Sequence, residues 1–254
     1  MPLHFRHHPS LIAYVTCGDP DLQTTRDIVL AAIEAGADII ELGVPFSDPV
    51  ADGPVIQRAS QRALGRGTTL EQVIDLAGEI RRQSSAGVII FSYLNPILQL
   101  GVSHFVARLK HALIDGALIT DLPVEEAGDY LEAMQEHQLA TVFLAAPTST
   151  NQRLKQIAHA SRGFVYAVSR TGVTGTRQQF PQDAQALVER LRRYTKLPVA
   201  VGFGISTAEQ FSSVGTFADA AVVGSAIVET IERNPGKEVQ SVAEFVRSLL
   251  ARRS

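Results

Sequence analysis

Short apolar segments alternate with longer amphipathic segments along the whole chain. The apolar residues from Ile28 to Ile33 recur at helical spacing, and Gly36 follows where such a helix would end. The short segments are almost continuously apolar, as strands buried on both faces are. The predicted strands comprise residues 11–16, 39–42, 88–91, 117–120, 140–145, 164–168, 199–201 and 220–223.

Helical sequence follows every predicted strand. Two capping-box patterns, Thr68-Thr-Leu-Glu71 and Ser206-Thr-Ala-Glu209, predict helix starts, because the first and fourth side chains of such a box bond each other's backbone N–H groups. The first of these helices runs to Arg82, and the second is short. The other predicted helices comprise residues 24–35, 104–114, 124–137, 151–160 and 182–194, and helical sequence continues to the C-terminus.

The repeat of strand and helix predicts an α/β fold. Eight units in 254 residues average about 32 residues each, which is the size of a βα unit with its loops. We therefore predict a single (β/α)8 TIM barrel over residues 1–254. An open, doubly wound sheet uses the same elements and is the alternative. Residues 1–10 form a short extension in which Pro2 and Pro9 disfavour a helix.

Composition narrows the classes of protein that the chain can represent. With 45% apolar and 19% charged residues it can bury a core, which excludes a disordered chain. A net charge of −3 provides no strong positive field for nucleic acid or an anionic membrane. The one cysteine, Cys17, excludes an intrachain disulfide. With no apolar secretion signal or bilayer-spanning segment, we expect a soluble cytoplasmic enzyme.

Three glycine-bearing loops follow the sixth, seventh and eighth predicted strands. Functional residues of a barrel lie at the carboxyl ends of its strands, and the last two of these loops often bind phosphate. Glycine lets backbone N–H groups approach an anion closely, and a helix N-terminus adds a positive dipole. Tight turning explains any one of these loops but explains all three poorly, so we predict a phosphate site. The loops are Ser169-Arg-Thr-Gly-Val-Thr-Gly175, Gly202-Phe-Gly-Ile-Ser206 and Gly224-Ser225.

Two carboxylates are candidates for acid–base chemistry. Glu41 ends the apolar second strand, where burial would raise its pKa toward that of a general acid. The alternative is a structural acid bonded to backbone groups. Asp52 lies in the long loop 43–54 and is either a second carboxylate carried by a mobile loop or a turn residue. Asp19 and Asp121 also follow strands, and we expect both to order loops or cap helices.

Residue types that are missing from the strand ends exclude several chemistries. Neither a lysine nor a histidine follows directly on a predicted strand, which disfavours a Schiff base and a histidine-bound metal. We therefore predict no metal site. Cys17 follows the first strand without a nearby base, so we expect a structural role. Carboxylate acid–base chemistry on a phosphorylated small molecule remains.

These residues together resemble the tryptophan synthase alpha chain family over nearly the whole chain. The resemblance implies a lyase of tryptophan biosynthesis that cleaves indole-3-glycerol phosphate to indole and glyceraldehyde 3-phosphate by a retro-aldol step. Besides the glycine loops, the motifs that carry it are Thr16-Cys-Gly-Asp-Pro20, Glu41-Leu-Gly-Val-Pro-Phe-Ser-Asp-Pro49, Ala51-Asp-Gly-Pro54 and Asp121-Leu-Pro-Val-Glu125.

The resemblance also implies roles for individual residues. Glu41 would shuttle protons, including protonation of indole C3, and Asp52 would bond the indole N–H and stabilise positive charge on the ring. The loop around Thr174 would close over the substrate in contact with the Asp52 loop. Gly175, Gly204, Gly224 and Ser225 would bind the phosphate through backbone N–H groups, and Tyr14, Ile56, Phe91, Tyr166 and Phe203 would line the indole pocket.

A partner follows from the resemblance as well. The family implies a beta chain that carries pyridoxal phosphate, an α2β2 heterotetramer and channelling of indole, so this chain would need no cofactor of its own. Residues 48–54 and 95–98 match family regions at that contact. The family usually has a helix that covers the bottom of the barrel before the first strand, and residues 1–10 do not predict one.

Three alternatives to the alpha-chain reaction in a complex stay open at this point. The chain could be a stand-alone relative that releases free indole, or another phosphosugar barrel enzyme with carboxylate chemistry. It could also be a non-catalytic subunit that only activates its partner. The presence of both Glu41 and Asp52 argues against the last of these.

Overall fold

A parallel sheet forms the centre of the computed structural model, which describes residues 3–168, 180–202 and 204–253. Within these residues the strands follow the order β5-β4-β3-β2-β1-β9-β8-β7-β6. The strands are β1 (Ser10–Thr16), β2 (Ile39–Gly43), β3 (Gly87–Ser92), β4 (Gly116–Ile119), β5 (Ala140–Val142), β6 (Leu144–Ala145), β7 (Val165–Val168), β8 (Val199–Gly202) and β9 (Ala220–Val223).

The two edge strands of this order close the sheet into a barrel. β5 and β6 are parts of one chain segment, with Phe143 alone between them. β5 pairs with β4, whereas β6 pairs with β7. The N–H of Tyr166 donates to the carbonyl of Phe143 at 3.1 Å across the interruption. The eight predicted strands and the TIM barrel are therefore confirmed, and the open-sheet alternative is wrong.

Helices follow the strands on the outside of the barrel. They are α1 (Leu22–Glu34), α2 (Pro54–Gly65), α3 (Leu70–Gln83), α4 (Leu94–Leu100), α5 (Val102–His111), α6 (Gly128–Glu136), α7 (Asn151–Ala160), α8 (Phe180–Arg192), α9 (Ala208–Val214), α10 (Ser225–Arg233) and α11 (Glu238–Leu250), with a 3-10 turn at Val124–Glu126. No helix in the described part of the chain is long and apolar enough to cross a bilayer.

The sequence did not predict α2 and α4. α2 begins with Pro54, and Pro96 lies in the first turn of α4. Proline is tolerated there, because the first N–H groups of a helix have no partner inside it. Each proline follows residues that are typical of a loop. The sequence therefore does not show where the helix begins.

Both predicted capping boxes are wrong by one residue. Thr69 caps α3 with Gln72, and Thr207 caps α9 with Gln210, each through reciprocal side-chain and backbone bonds. Each segment contains two overlapping patterns, because a glutamine follows the predicted glutamate directly. The amide oxygen of glutamine accepts the cap N–H as a carboxylate does. The helices consequently begin one residue later than predicted.

An apolar cluster fills the interior of the barrel. It consists of residues from successive strands, and Ile39 of β2 is one of them. Glu41 lies two residues further along β2, so its side chain points to the same face, nearer the carboxyl ends of the strands. The buried members of this inner cluster are Ile12, Ile39, Ile89, Leu118, Val142, Phe164, Ala200, Ala220 and Val222.

The segment before β1 covers the opposite, amino-terminal end of the barrel. Its described residues contain no helix, as predicted. Leu3 and Phe5 pack against the inner cluster. A Cβ atom placed on Gly87 would lie 2.7 Å from a Leu3 methyl group, and one placed on Gly163 would lie 2.9 Å from the other. Two apolar side chains thus pack against this end of the barrel interior. That residues 1–254 form one domain stays a prediction.

Candidate active site

Glu41 lies on β2 near the mouth of the barrel. Its register neighbours on the adjoining strands are Tyr14 and Ile89. The side chain is fully buried, and within the described residues neither carboxyl oxygen has a hydrogen-bond partner. Burial raises the pKa of Glu41 to about 8. The carboxyl group is therefore mainly protonated at neutral pH, and it is not the backbone-bonded structural acid that the sequence left open.

Two tyrosines lie beside Glu41, each with its hydroxyl over a glycine of the neighbouring strand. A Cβ atom on Gly43 would lie 2.2 Å from the Tyr14 hydroxyl, and one on Gly202 would lie 2.2 Å from the Tyr166 hydroxyl. A side chain at either glycine would displace the tyrosine. Burial raises the pKa of both tyrosines, and a charge on Glu41 would raise each further. Both hydroxyl groups therefore stay protonated.

Several predicted pocket residues meet above β1. Tyr14 belongs to a small apolar cluster against which Ile56 of α2 and Phe91 of β3 pack, and the Phe91 ring is 5.1 Å from the Tyr14 ring at 76°. Phe91 and Tyr166 also line the inner cluster. These four residues give the mouth an apolar, aromatic lining. The fifth predicted pocket residue, Phe203, lies outside the described residues.

Asp52 reaches the mouth from the loop between β2 and α2. The Tyr93 hydroxyl donates to Asp52 Oδ2 at 3.1 Å and accepts the N–H of Ala51 at 3.0 Å. The ring of Phe46, from the same loop, stacks on Tyr93 at 5.0 Å. Burial raises the pKa of Asp52 to about 6, while the bond from Tyr93 opposes that rise. Asp52 is therefore mainly ionised at neutral pH.

Tyr93 is the functional residue that the sequence reasoning missed. It follows β3 directly, so it reads as the end of an apolar strand. The sequence did offer one indication of a role for Tyr93, its place directly after a strand, because side chains there lie at the mouth of a barrel. The hydroxyl group holds both the backbone and the side chain of the Asp52 loop, which a phenylalanine could not do.

The loops after β8 and β9 are neighbours, because these strands pair with Gly202 opposite Val222. Gly204 has φ +65°, a conformation that favours glycine. Gly224 packs against the ring of Tyr14, and Ser225 is the first residue of α10. The free N–H groups of that helix start are suited to an anion. Gly175 and Thr174, from the loop that follows β7, lie outside the described residues.

Asp19 orders the rim, as expected. Its carboxylate is buried and receives two bonds from the guanidinium of Arg62, at 2.8 and 2.7 Å. Arg62 also bonds Glu232 of α10 at 2.7 Å, and Arg58 of α2 bonds the same carboxylate. We call Asp19, Arg58, Arg62 and Glu232 the Arg62 clamp. It fixes α2 to α10 and to the loop after β1.

The remaining candidates have structural roles. Asp121 accepts the N–H of Leu94 at 2.7 Å and so caps the start of α4. Cys17 is buried, and burial raises the pKa of its thiol to about 12, which leaves no reactive thiolate. No group of three potential metal ligands occurs among residues 3–168, 180–202 and 204–253.

Comparisons with known proteins agree with this geometry. A family model described as tryptophan synthase alpha chain matches residues 3–252. The tryptophan synthase alpha chain of Solibacter usitatus is 52% identical over 225 residues, which cover 89% of this chain and 84% of that one. The corresponding protein of Geotalea daltonii is 45% identical and covers 95% and 91%. A solved tryptophan synthase a2b2 complex from Pyrococcus furiosus superimposes with a TM-score of 0.91, at 42% identity over 96% of this chain and 99% of that one.

Proposed function

The chain belongs to the tryptophan synthase alpha chain family, a lyase family of tryptophan biosynthesis, and we propose that Glu41 and Asp52 carry its cleavage of indole-3-glycerol phosphate. The products are indole and glyceraldehyde 3-phosphate. One observation carries the proposal. Burial at one barrel mouth raises the pKa of Glu41 to about 8 and that of Asp52 to about 6, so that Glu41 is mainly protonated and Asp52 mainly ionised at neutral pH.

Glu41 supplies the proton that the cleavage needs. A proton from Glu41 on indole C3 makes the ring a leaving group, and the resulting carboxylate accepts the proton of the glycerol hydroxyl next to the breaking bond. The carbon–carbon bond then breaks, indole leaves, and the hydroxyl carbon becomes the aldehyde. Glu41 ends protonated as it began. A pKa of about 8 suits both transfers near neutral pH.

Asp52 stabilises the charge that this protonation creates. Once C3 carries the proton, the indole ring is positive at its nitrogen. An ionised Asp52 that accepts the indole N–H offsets that charge. Tyr93 holds the carboxylate in place and, by donating to it, favours the ionised form.

Backbone amides hold the phosphate in this proposal, and aromatic side chains hold the indole ring. Gly204, Gly224 and Ser225 bind the phosphate together with Gly175, while the loop at Thr174 closes over the substrate. This arrangement binds an anion without added positive charge, in keeping with a net charge of −3. The indole pocket comprises Tyr14, Ile56, Phe91, Tyr166 and Phe203.

A beta chain is the proposed partner, in an α2β2 heterotetramer. The solved relative from Pyrococcus furiosus is an a2b2 complex. Two exposed apolar side chains support residues 48–54 and 95–98 as the contact, since Val50 is 86% and Leu98 57% exposed. We propose that pyridoxal phosphate belongs to the beta chain, that this chain uses no cofactor, and that the complex acts in the cytoplasm.

An assay of indole release tests the proposal. The chain is given indole-3-glycerol phosphate alone and with a beta chain, and we expect indole in both cases, with faster release in the complex. The absence of indole in both cases would overturn the proposed reaction. Fast release that a beta chain leaves unchanged would favour the stand-alone alternative. Activation of the beta chain without cleavage would favour a non-catalytic subunit.

A further inference from the structure

The segment that precedes β1 has an apolar face and a polar face. Leu3 and Phe5 are partly buried against the inner cluster, while His4 and Arg6 between and after them are exposed. This alternation is typical of an extended segment lying on an apolar surface. We call Leu3 and Phe5 the floor of the barrel, because they pack against the inner cluster at the end opposite the mouth.

Hydrogen bonds from the polar face attach the segment to the amino-terminal end of the barrel. Arg6 donates to the carbonyl and the hydroxyl oxygen of Ser85, at 2.8 and 2.9 Å. His7 lies 2.6 Å from a carboxyl oxygen of Asp38, just before β2. These contacts place the segment across the starts of β2 and β3.

The floor is continuous with the interior beneath Glu41. The Phe5 ring meets Phe164 edge to face, with centroids 5.8 Å apart. Phe164 belongs to the same inner cluster as Ile39, the residue below Glu41 on β2. From bottom to top, the barrel therefore holds the floor, the inner cluster and then the carboxyl group.

We propose that Leu3 and Phe5 act as positioning residues for the reaction, by keeping water out of the barrel beneath Glu41 and so setting the acid strength of that group. The proposal rests on the proposed function, in which Glu41 must hold a proton near neutral pH. A carboxyl group without hydrogen-bond partners depends on its apolar surroundings to stay protonated. Water or a polar group below it would stabilise the charged form.

Other titratable groups also face Glu41. Tyr14 approaches from β1 and Tyr166 from β7, and Asp52 acts on both tyrosines from the loop above. Burial keeps both tyrosines neutral, so they add no charge. On the bottom side, His4, Arg6 and His7 are exposed, and Asp115 and Arg162 line a cavity beside Leu3. A change confined to the floor leaves all of these groups in place.

Direct titration of Glu41 tests the proposal. Full-length protein with carbon-13 in its glutamate carboxyl groups is titrated by NMR, and the Glu41 signal is assigned by its loss in Glu41→Gln. Phe5→Gln places a carboxamide in the floor, and we expect the pKa of Glu41 to fall by about one unit or more. Phe5→Leu keeps the floor apolar and should leave that pKa close to the wild-type value.

His4→Gln is the matched control, because it introduces the same side chain at an exposed neighbouring position. Leu3→Gln repeats the test with the Phe5–Phe164 contact intact, should Phe5→Gln fail to fold. A folded floor variant in which Glu41 titrates as in wild type would overturn the proposal, as would an equal shift in His4→Gln. The titration uses no substrate, so its failure is distinguishable from failure of the proposed reaction.

Discussion

Glu41 and Asp52 serve the same mouth from two different kinds of structure. Glu41 is on a strand of the barrel, fully buried and without a hydrogen-bond partner among the described residues. Asp52 is on a loop, partly exposed, and bonded by Tyr93. Burial raises the pKa of both, to about 8 and about 6, but only Asp52 has a donor that favours its charged form.

This difference in surroundings gives the two carboxyl groups different roles in the proposed reaction. A rigid strand places Glu41 at a fixed height in a closed interior, which suits a group that must hold and then transfer a proton. A loop lets Asp52 meet the substrate, and its donor keeps it negative before the reaction begins. The surroundings of each carboxyl group therefore make Glu41 the acid and Asp52 the negative counter-charge. The variants below test these two roles.

Removing the proton of Glu41 should have the largest effect. In Glu41→Gln we expect indole release to fall by about 10³-fold or more, because the carboxamide cannot transfer a proton. Substrate binding, measured by calorimetry, should persist. A rate near that of wild type would remove Glu41 from its role.

Stability provides the control for that variant. The folded pKa of Glu41 is above its unfolded value, so the folded state binds the proton more tightly, and wild type loses stability as pH rises toward about 8. Glu41→Gln has no such group. Thermal unfolding at pH 9 should therefore show the variant at least as stable as wild type, which separates lost chemistry from lost folding.

Neutralising Asp52 should have the next largest effect. Asp52→Asn keeps the size and the bond from Tyr93 but loses the charge, and we expect kcat/KM to fall by about 10²-fold to 10³-fold. The loss should be in kcat more than in KM, since the ring is positive only during the reaction. A loss confined to KM would limit Asp52 to substrate binding.

The pH dependence of wild type tests both assignments together. Asp52 must be ionised and Glu41 protonated, so kcat/KM should rise with a pKa of about 6 and fall with a pKa of about 8. Activity should change roughly tenfold per pH unit outside that window. The residual activity of Asp52→Asn should lack the rise of kcat/KM with a pKa of about 6, which is the rising limb of the pH profile. If the variant keeps that rise, a titratable group other than Asp52 causes it.

Loss of the Tyr93 hydroxyl should have the smallest effect. Tyr93→Phe removes a donor from Asp52, so the pKa of Asp52 rises and the rising limb moves to higher pH. We expect kcat/KM at pH 7 to fall about fivefold to tenfold, the equivalent of about 1 kcal/mol for one typical hydrogen bond. Tyr130→Phe is the matched control, because its hydroxyl is buried on α6. An unmoved limb in Tyr93→Phe would contradict the positioning role.

Much of the barrel could be predicted because buried parallel strands are continuously apolar in sequence. The interruption of the fifth strand at Phe143 could not, since it depends on how the two sheet edges meet. α2 and α4 were missed because their first turns contain proline, which is also typical of loops.

Some features of the site could likewise be predicted from the sequence, whereas others could not. Glu41 and Asp52 were found from their places at and after a strand. The contacts of Tyr14 with Gly43 and of Tyr93 with Asp52 join separate strands and loops, so they depend on strand stagger rather than local sequence. The covering of the barrel by Leu3 and Phe5 was hidden for another reason, because two apolar residues in a short polar segment are too few to predict an element.

The Arg62 clamp has a consequence for the span of chain that carries Asp52. Residues 44–53 are anchored at both ends, since Gly43 ends a strand beneath Tyr14 and α2 is fixed to α10. A span with fixed ends can bend, but its length limits how far across the barrel Asp52 can reach. Shortening or lengthening it would adjust that reach without altering strand or helix. Loop length is therefore a separate means of engineering which ring sizes the enzyme accepts.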